Sequence, residues 1–199
     1  MIKLVNLLKE ISVSVKKPIG QGSQHIVYPH SKDPNKVIKT FDPDEGEFIN
    51  TKHIDIFQKH PNIFPKVYKA TDKYAVLEKL DIDQAITELE KLEAEFFNLK
   101  WRSNKKRKHS ILLDDIMEND NLEDNDFIYK LYYLIKNNPS SVLKPELNTL
   151  YSLTQNSNLL KKWIDFLTQI ISTFNKKDLD IHAEQFGYDS KGNIKLLDL

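Results

Sequence analysis

Three side chains near the end of the sequence have the chemical types that phosphate chemistry uses. Asp180 lies in the segment DLDIHAEQ, Gln185 closes that segment, and Asp198 follows eighteen residues after Asp180. A carboxylate can accept a proton, and carboxylate and amide oxygens are ligands of hard cations such as Mg²⁺. The stretch DSKGN between Gln185 and Asp198 consists of turn-forming residues and predicts a β-hairpin.

The predicted hairpin brings the second and third of these side chains close together. A turn centred on Ser190 and Lys191 places Gln185 opposite Leu196, two residues from Asp198. The two backbones are then roughly 7 Å apart at about 3.3 Å per residue, a span that can hold one Mg²⁺ between two side-chain oxygens. An ordinary terminal hairpin with polar ends is the alternative interpretation.

A lysine and a glycine-rich turn in the first forty residues could contact an anion. Lys39 ends the β-branched run VIK, so it emerges from a strand, where an ammonium group needs a counter-charge. An edge-strand lysine that protects the sheet from aggregation is the alternative. The turn leaves backbone N–H groups uncovered and can lie over phosphates, although a plain hairpin turn has the same sequence. The turn comprises Gly20, Gln21, Gly22 and Ser23, and Val27 follows on the return strand.

The spacing of the hydrophobic residues changes near residue 80, which divides the chain into two parts. Residues 1–80 contain short β-branched runs separated by turns such as DPN and ATDK, which predict an antiparallel sheet. One helix over residues 44–60 interrupts these runs. In residues 81–199 the apolar residues recur at helical spacing, with one stripe from Ala85 to Leu99 and another from Leu160 to Phe174, and a shorter helix at residues 127–135. The fold class is therefore α+β, with a sheet-rich front lobe and a mostly helical rear lobe.

Composition limits the partners and the compartment. The chain has 199 residues, with 29 basic residues balancing 29 acidic ones, so nothing in its charge favours nucleic acid or an anionic membrane. No cysteine is present, and the N-terminal residues show neither a signal peptide nor a membrane span, which predicts a cytoplasmic protein. Residues 100–126 form a basic block followed by an acidic block, and we expect a solvated insertion or a surface that binds a protein partner.

In chain order, these segments resemble the protein kinase-like family. Gly20, Gly22 and Val27 match its glycine loop, and the VIK ending in Lys39 matches its strand lysine. The run Leu77, Glu78, Lys79 and Leu80 matches the hinge between its lobes. The segment DIHAEQ from Asp180 to Gln185 matches the catalytic loop, and Asp198 matches the metal-binding aspartate. The resemblance implies a bilobal fold with a reduced C-lobe that ends in a catalytic loop and metal hairpin at residues 178–199.

The family likeness also implies roles for these residues. Lys39 would hold the α- and β-phosphates of ATP, Asp198 and Gln185 would hold Mg²⁺, and Asp180 would accept the proton of an attacking hydroxyl. Glu47 of the front helix would pair with Lys39, with Asp55 of the same helix as the alternative. The hinge residues Leu77, Glu78 and Leu80 would contact the adenine.

Some positions depart from the commonest form of the family. Leu179 replaces arginine, His182 replaces lysine and Gln185 replaces asparagine, so DIHAEQ is closer to the D-x-H-x-x-N loop of aminoglycoside phosphotransferase-like and short phage-encoded kinase-like proteins. The resemblance favours an ATP-dependent phosphotransferase that uses magnesium and a Ser or Thr hydroxyl of a protein as acceptor. A pseudokinase that senses nucleotide or binds protein, and a small-molecule kinase, are the alternatives. Residues 100–126 or a partner chain would recognise the acceptor.

Overall fold

The computed structural model describes residues 17–21, 25–41, 51–106, 127–138, 140–174, 179 and 181–198. Several residues that the sequence singles out lie outside these ranges: Gly22, Ser23, Glu47 and Asp180, together with most of the charged insertion. The predicted roles of these residues stay predictions. The described part contains both helices and an antiparallel sheet, so the α+β class is confirmed.

A five-stranded antiparallel sheet forms the front of the chain. Its strands are β1 (Gly20–Gln21), β2 (His25–Pro29), β3 (Lys36–Phe41), β4 (Val67–Ala70) and β5 (Tyr74–Glu78). Their order is β1-β2-β3-β5-β4, which makes β3 the central strand. The predicted DPN turn between β2 and β3 is confirmed, because the Asp33 carboxylate and carbonyl accept the Asn35 and Lys36 N–H groups. This side chain to backbone bonding explains why Asp and Asn favour such turns.

The two faces of the sheet bury different sets of side chains, as the period of two in a strand requires. On one face Val37, Ala75 and Leu77 pack with Ile54 of helix α1 (Thr51–Lys59). The other face buries Ile26, Tyr28, Ile38 and Val76. Helix α1 therefore packs on one face of the sheet through the apolar side chain of Ile54.

A short loop follows α1 and stays close to it. His60 N–H donates to the Ile56 and Phe57 carbonyls, and Ile63 and Phe64 N–H groups donate back to the His60 carbonyl. Phe57 and Phe64 stack with ring centroids 4.4 Å apart. Both Ile63 and Phe64 are almost fully buried, so the loop is a rigid extension of the helix.

In the described part of residues 82–199 there are four α-helices: α2 (Ile82–Lys106), α3 (Phe127–Asn137), α4 (Ser140–Leu153) and α5 (Ser157–Phe174). The predicted stripes are buried in α2 (Ala85, Leu89, Leu92, Phe96) and in α5 (Leu160, Trp163, Ile164, Leu167, Ile170). The sequence did not predict α4, which contains Pro145 in its interior. A 3₁₀ turn (Ala183–Gln185) then leads to strands β6 (Phe186–Tyr188) and β7 (Ile194–Leu196).

The chain forms two compact units. The first comprises residues 1–81 and 189–198, and the second comprises residues 82–188 and 199. Strands β6 and β7 make a two-stranded hairpin, and the division between the units falls inside it. No helix in the described ranges is both long and apolar enough to cross a membrane.

The hairpin turn differs by one residue from the turn that the sequence predicts. Asp189 N–H donates to the Asn193 carbonyl and Gly192 N–H donates to the Asp189 carbonyl, which closes a three-residue loop. Gly192 has φ of 78°, the left-handed conformation of a bulged turn. A two-residue turn centred on Ser190 and Lys191 is therefore wrong, because the glycine adds one residue to the loop.

Gly192→Ala is expected to lower the free energy of unfolding by about 1 kcal/mol, because an L side chain in the left-handed region is strained. An added Cβ would meet no atom within 4 Å beyond the two neighbouring residues, so the loss comes from the local backbone conformation alone. Chemical denaturation measures it, with Lys191→Ala in the same turn as control. Gly192→Asn should lower the free energy of unfolding by less than Gly192→Ala does, since asparagine tolerates this conformation. Equal losses for alanine and asparagine would contradict the conformational explanation.

Candidate functional site

Lys39 occupies the central strand of the front sheet. It lies opposite Val27 of β2 and Ala75 of β5, and Val27 in turn lies opposite Gly20 of β1. Residues directly opposite each other share a face, so the strand lysine, the valine and the first glycine of the predicted phosphate loop form one row across the sheet. The interpretation of Lys39 as an edge-strand lysine is wrong, because β3 has a neighbour on each side.

The Lys39 ammonium forms an ion pair with Asp198. Lys39 Nζ lies 2.5 Å from Asp198 Oδ2, although the two residues are 159 positions apart in the chain. The lysine side chain is 14% exposed and the aspartate side chain 38% exposed. A charge-assisted hydrogen bond of this kind fixes both groups relative to each other. Both residues belong to the first unit, so this cluster is built within one compact body.

Strand β7 carries Asp198 to this place. Leu196 N–H donates to the Ile63 carbonyl at 2.7 Å, which attaches the strand to the loop after α1. Ile194 and Leu196 are buried in the core. Asp198 lies two residues beyond Leu196, so its backbone leaves a strand whose apolar side chains are buried.

Lys195 and Asp189 are two charged residues with little-exposed side chains that the sequence did not predict. Lys195 lies between two apolar residues in the strand IKL, and strict alternation would direct its side chain to solvent. Its side chain is instead only 8% exposed, with Nζ 2.5 Å from the Pro61 carbonyl and 3.8 Å from Asp189 Oδ2. Only the fold reveals these partners, because Pro61 is 134 positions away in the chain.

Asp189 organises the hairpin turn. Its Oδ1 accepts the Lys191 and Asn193 N–H groups, and the Asn193 side-chain amide donates to the same carboxylate. Burial by itself raises the pKa of Asp189, but the hydrogen bonds from Asn193 and Lys191, together with the Lys195 charge, outweigh it. The net pKa of Asp189 is therefore lower than that of an ordinary aspartate.

This lowered pKa predicts how stability depends on pH. The stabilisation by the Asp189 charge is fully present above the unfolded-state pKa of about 3.9 and is lost as the pH falls through the lower folded-state pKa. Asp189→Asn should therefore unfold at a lower denaturant concentration than the wild type at pH 6. The difference should shrink as the pH falls below the unfolded-state pKa of about 3.9, because the unfolded chain then gains a proton that the folded one does not yet bind. A difference that stays constant over this range would contradict the assignment.

Gln185 closes the 3₁₀ turn of the second unit, and Gln185 N–H donates to the His182 carbonyl at 3.0 Å. Its side-chain Oε1 is buried and accepts no hydrogen bond from any described residue. A buried acceptor without a donor costs about 1–3 kcal/mol, so such an atom is a candidate for a ligand contact. The predicted sharing of one cation by Gln185 and Asp198 joins residues of different units and stays a prediction.

The strand after Gln185 is fixed to the helices of the second unit. The Tyr188 hydroxyl donates to the Glu88 carboxylate of α2, and burial with this contact raises the pKa of Tyr188 above its usual value. Trp163 of α5 makes edge contacts with the rings of Phe186 and Tyr188. Gln185 is thus adjacent in sequence to a buried aromatic strand.

The predicted hinge residues form the end of β5. Leu77 and Leu80 are buried. Glu78 N–H donates to the Lys66 carbonyl, and Lys79 N–H donates to the Asn35 carbonyl, both at 2.9 Å. These two donors are occupied within the sheet unit, so a purine at this segment would bond to other backbone groups.

Comparisons with known proteins provide little independent information. No protein-family model matches the chain, and no curated protein matches it. Among solved structures, the chain is similar to the aminoglycoside phosphotransferase APH(2'')-IIa, solved as a ternary complex with streptomycin and ATP. The similarity covers 99% of this chain and 69% of the other, at 15% identity and a TM-score of 0.37. At those values it establishes neither the fold nor the activity of this chain.

Proposed function

We propose that this chain is an ATP-dependent phosphotransferase whose phosphate-binding centre is Lys39 with Asp198. One observation carries the proposal: the strand lysine and the last aspartate, 159 positions apart, meet at 2.5 Å on the central strand of the sheet. The resemblance of the sequence motifs assigns the nucleotide phosphates to the first and the metal to the second. The ion pair supports this assignment because it brings together two groups that those roles require to be neighbours.

The charges of the pair suit an exchange of partners with a nucleotide. Triphosphate oxygens would take the place of the Asp198 carboxylate at the Lys39 ammonium. Mg²⁺ would take the place of the ammonium at Asp198, and the buried Gln185 Oε1, which has no donor among the described residues, is a second oxygen that fits a hard cation. The ion would neutralise negative charge on the phosphates. The sequence assigns Gln185 and Asp198 to hold it, and this sharing by residues of different units stays a prediction.

The remaining roles in the proposal come from the sequence. Asp180 would orient the acceptor hydroxyl and take its proton, and Lys39 would fix the phosphates in line with it. The turn from Gly20 to Ser23 with Val27 would cover the phosphates. The acceptor is an alcohol group on a protein or on a small molecule.

A nucleotide-sensing module without transfer activity is a second candidate. The observation that favours it is the same ion pair, because Lys39 and Asp198 neutralise each other without any ligand. A module of this kind needs the pair to respond to nucleotide, but it needs no proton acceptor at position 180.

Two assays on the same protein separate these candidates. Thermal melting with ATP, with and without Mg²⁺, measures binding, and transfer of a labelled γ-phosphate to water or to added proteins and aminoglycosides measures activity. The enzyme is expected to melt higher with Mg-ATP and to release or transfer label, and Asp180→Asn should abolish transfer while keeping the melting shift. A shift without transfer supports the sensor, and no shift at all excludes both.

A further inference from the structure

The Lys195 ammonium is almost completely withdrawn from water on strand β7. Its side chain is 8% exposed, and that of its neighbour Asp189 is 7% exposed. A buried ammonium is costly unless charged or polar partners compensate it. The partners here are the Pro61 carbonyl, 2.5 Å from Nζ, and the Asp189 carboxylate, 3.8 Å from Nζ. A lysine in such a place joins two distant parts of the chain.

Each partner belongs to a different part of the first unit. Pro61 lies in the loop that follows helix α1, and Asp189 begins the turn of the hairpin. The Leu196 N–H bond to the Ile63 carbonyl attaches the same strand to the same loop. Lys195 therefore stands between the hairpin turn and the loop, next to the single backbone bond between β7 and Ile63.

A continuous series of packed groups connects this loop to the strand of Lys39. The loop stacks on α1 through Phe64 and Phe57. Helix α1 packs through Ile54 on Val37, which lies two residues before Lys39 on the same face of β3. Asp198 is three residues beyond Lys195, or about 10 Å of extended chain. The position of the Asp198 carboxylate relative to Lys39 thus depends on how β7 packs against the loop after α1.

We propose that Lys195 and Asp189 are positioning residues, which hold β7 on the loop after α1 and thereby keep Asp198 against Lys39. Their importance for phosphate transfer rests on the proposed function, whereas the positioning itself does not. Neither residue touches the reacting groups. Both act by holding in place the strand that carries Asp198.

The test measures the Lys39 to Asp198 contact directly. A carbodiimide activates a carboxylate, and an adjacent amine then forms an amide bond with it, so mass spectrometry of the digested protein reports how often the two groups meet. Lys195→Met is expected to lower the yield of the Lys39–Asp198 cross-link about tenfold and to speed hydrogen exchange of the Leu196 amide by a similar factor. The Lys36–Asp33 pair, 2.9 Å apart in the β2–β3 turn, is the internal reference and should keep its yield.

Matched variants make the result specific. Lys191→Met removes an exposed lysine from the same hairpin and should change neither readout. Lys195→Arg keeps a cation that can donate to Pro61 and should restore part of the cross-link. If Lys195→Met does not fold, Asp189→Asn provides the same test, because it removes the charged partner and keeps an amide acceptor for the turn. A folded variant at Lys195 or Asp189 with an unchanged cross-link and unchanged exchange overturns the proposal.

The assay also separates this inference from the proposed function. If the wild type forms the cross-link and Lys195→Met loses it, the positioning role holds even where no phosphate is transferred. If the wild type transfers phosphate, Lys195→Met should lower kcat more than it raises KM for ATP, because misplacement of Asp198 affects the reacting geometry most. Normal kcat in a variant that has lost the cross-link would overturn the part that concerns transfer.

Discussion

Asp198→Asn is expected to reduce transfer of the γ-phosphate at least about 10³-fold, with the loss mostly in kcat. The asparagine keeps the size of the side chain but removes its negative charge, so it binds a divalent cation weakly. The variant also leaves the Lys39 ammonium, 14% exposed, without its carboxylate partner. Steady-state assays with labelled ATP at several magnesium concentrations measure the effect.

Two comparisons make the Asp198 result interpretable. Asp72→Asn removes an exposed carboxylate of the same unit, in the β4–β5 turn, and should keep the wild-type rate. Gln185→Asn keeps the side-chain amide on a stem one methylene shorter and should preserve or raise the rate. Transfer by Asp198→Asn at more than a tenth of the wild-type rate would show that the cation is held elsewhere.

Lys39→Met is expected to weaken the binding of Mg-ATP by about ten- to a hundredfold. A charged hydrogen bond contributes about 1.5–3 kcal/mol, and methionine keeps the apolar stem of the lysine without its charge. The same substitution should lower the free energy of unfolding by only about 1 kcal/mol or less. The Asp198 side chain is 38% exposed, so water can solvate the carboxylate after the Lys39 contact is removed.

Lys36→Met is the control for Lys39→Met. Lys36 lies on the same strand three residues earlier and pairs with Asp33 in a surface ion pair, so its loss should leave nucleotide affinity unchanged. Calorimetric titration measures affinity and chemical denaturation measures stability. A large loss of stability with unchanged affinity for Mg-ATP in Lys39→Met would identify the ion pair as a structural contact alone.

Local patterns predicted much of the fold. The β-branched runs and the DPN turn predicted β2 and β3, and the helical stripes of α2 and α5 are buried as their spacing indicates. These features depend on neighbours within a few residues, which the sequence displays directly. The convergence of Lys39 and Asp198 was also predicted, because the order of motifs along the chain resembles a family in which the two residues meet.

Features set by distant contacts were not predicted. Lys195 occupies the polar position of an alternating strand, yet its side chain is buried because it contacts Pro61 and Asp189. Gly192 adopts the left-handed conformation at the third loop position, so the hairpin loop has three residues and the register shifts by one. Helix α4 contains Pro145, which by itself favours a break. In each case a distant contact or the backbone conformation outweighs the local preference that the sequence shows.

The most direct test of the central claim is calorimetric titration of the chain with ATP in the presence and absence of Mg²⁺. The account predicts saturable binding of one nucleotide per chain that requires Mg²⁺ and is weakened by both Lys39→Met and Asp198→Asn, but not by Lys36→Met. Absence of binding at millimolar Mg-ATP, or binding that both substitutions leave intact, would contradict the assignment of Lys39 and Asp198 to a nucleotide site.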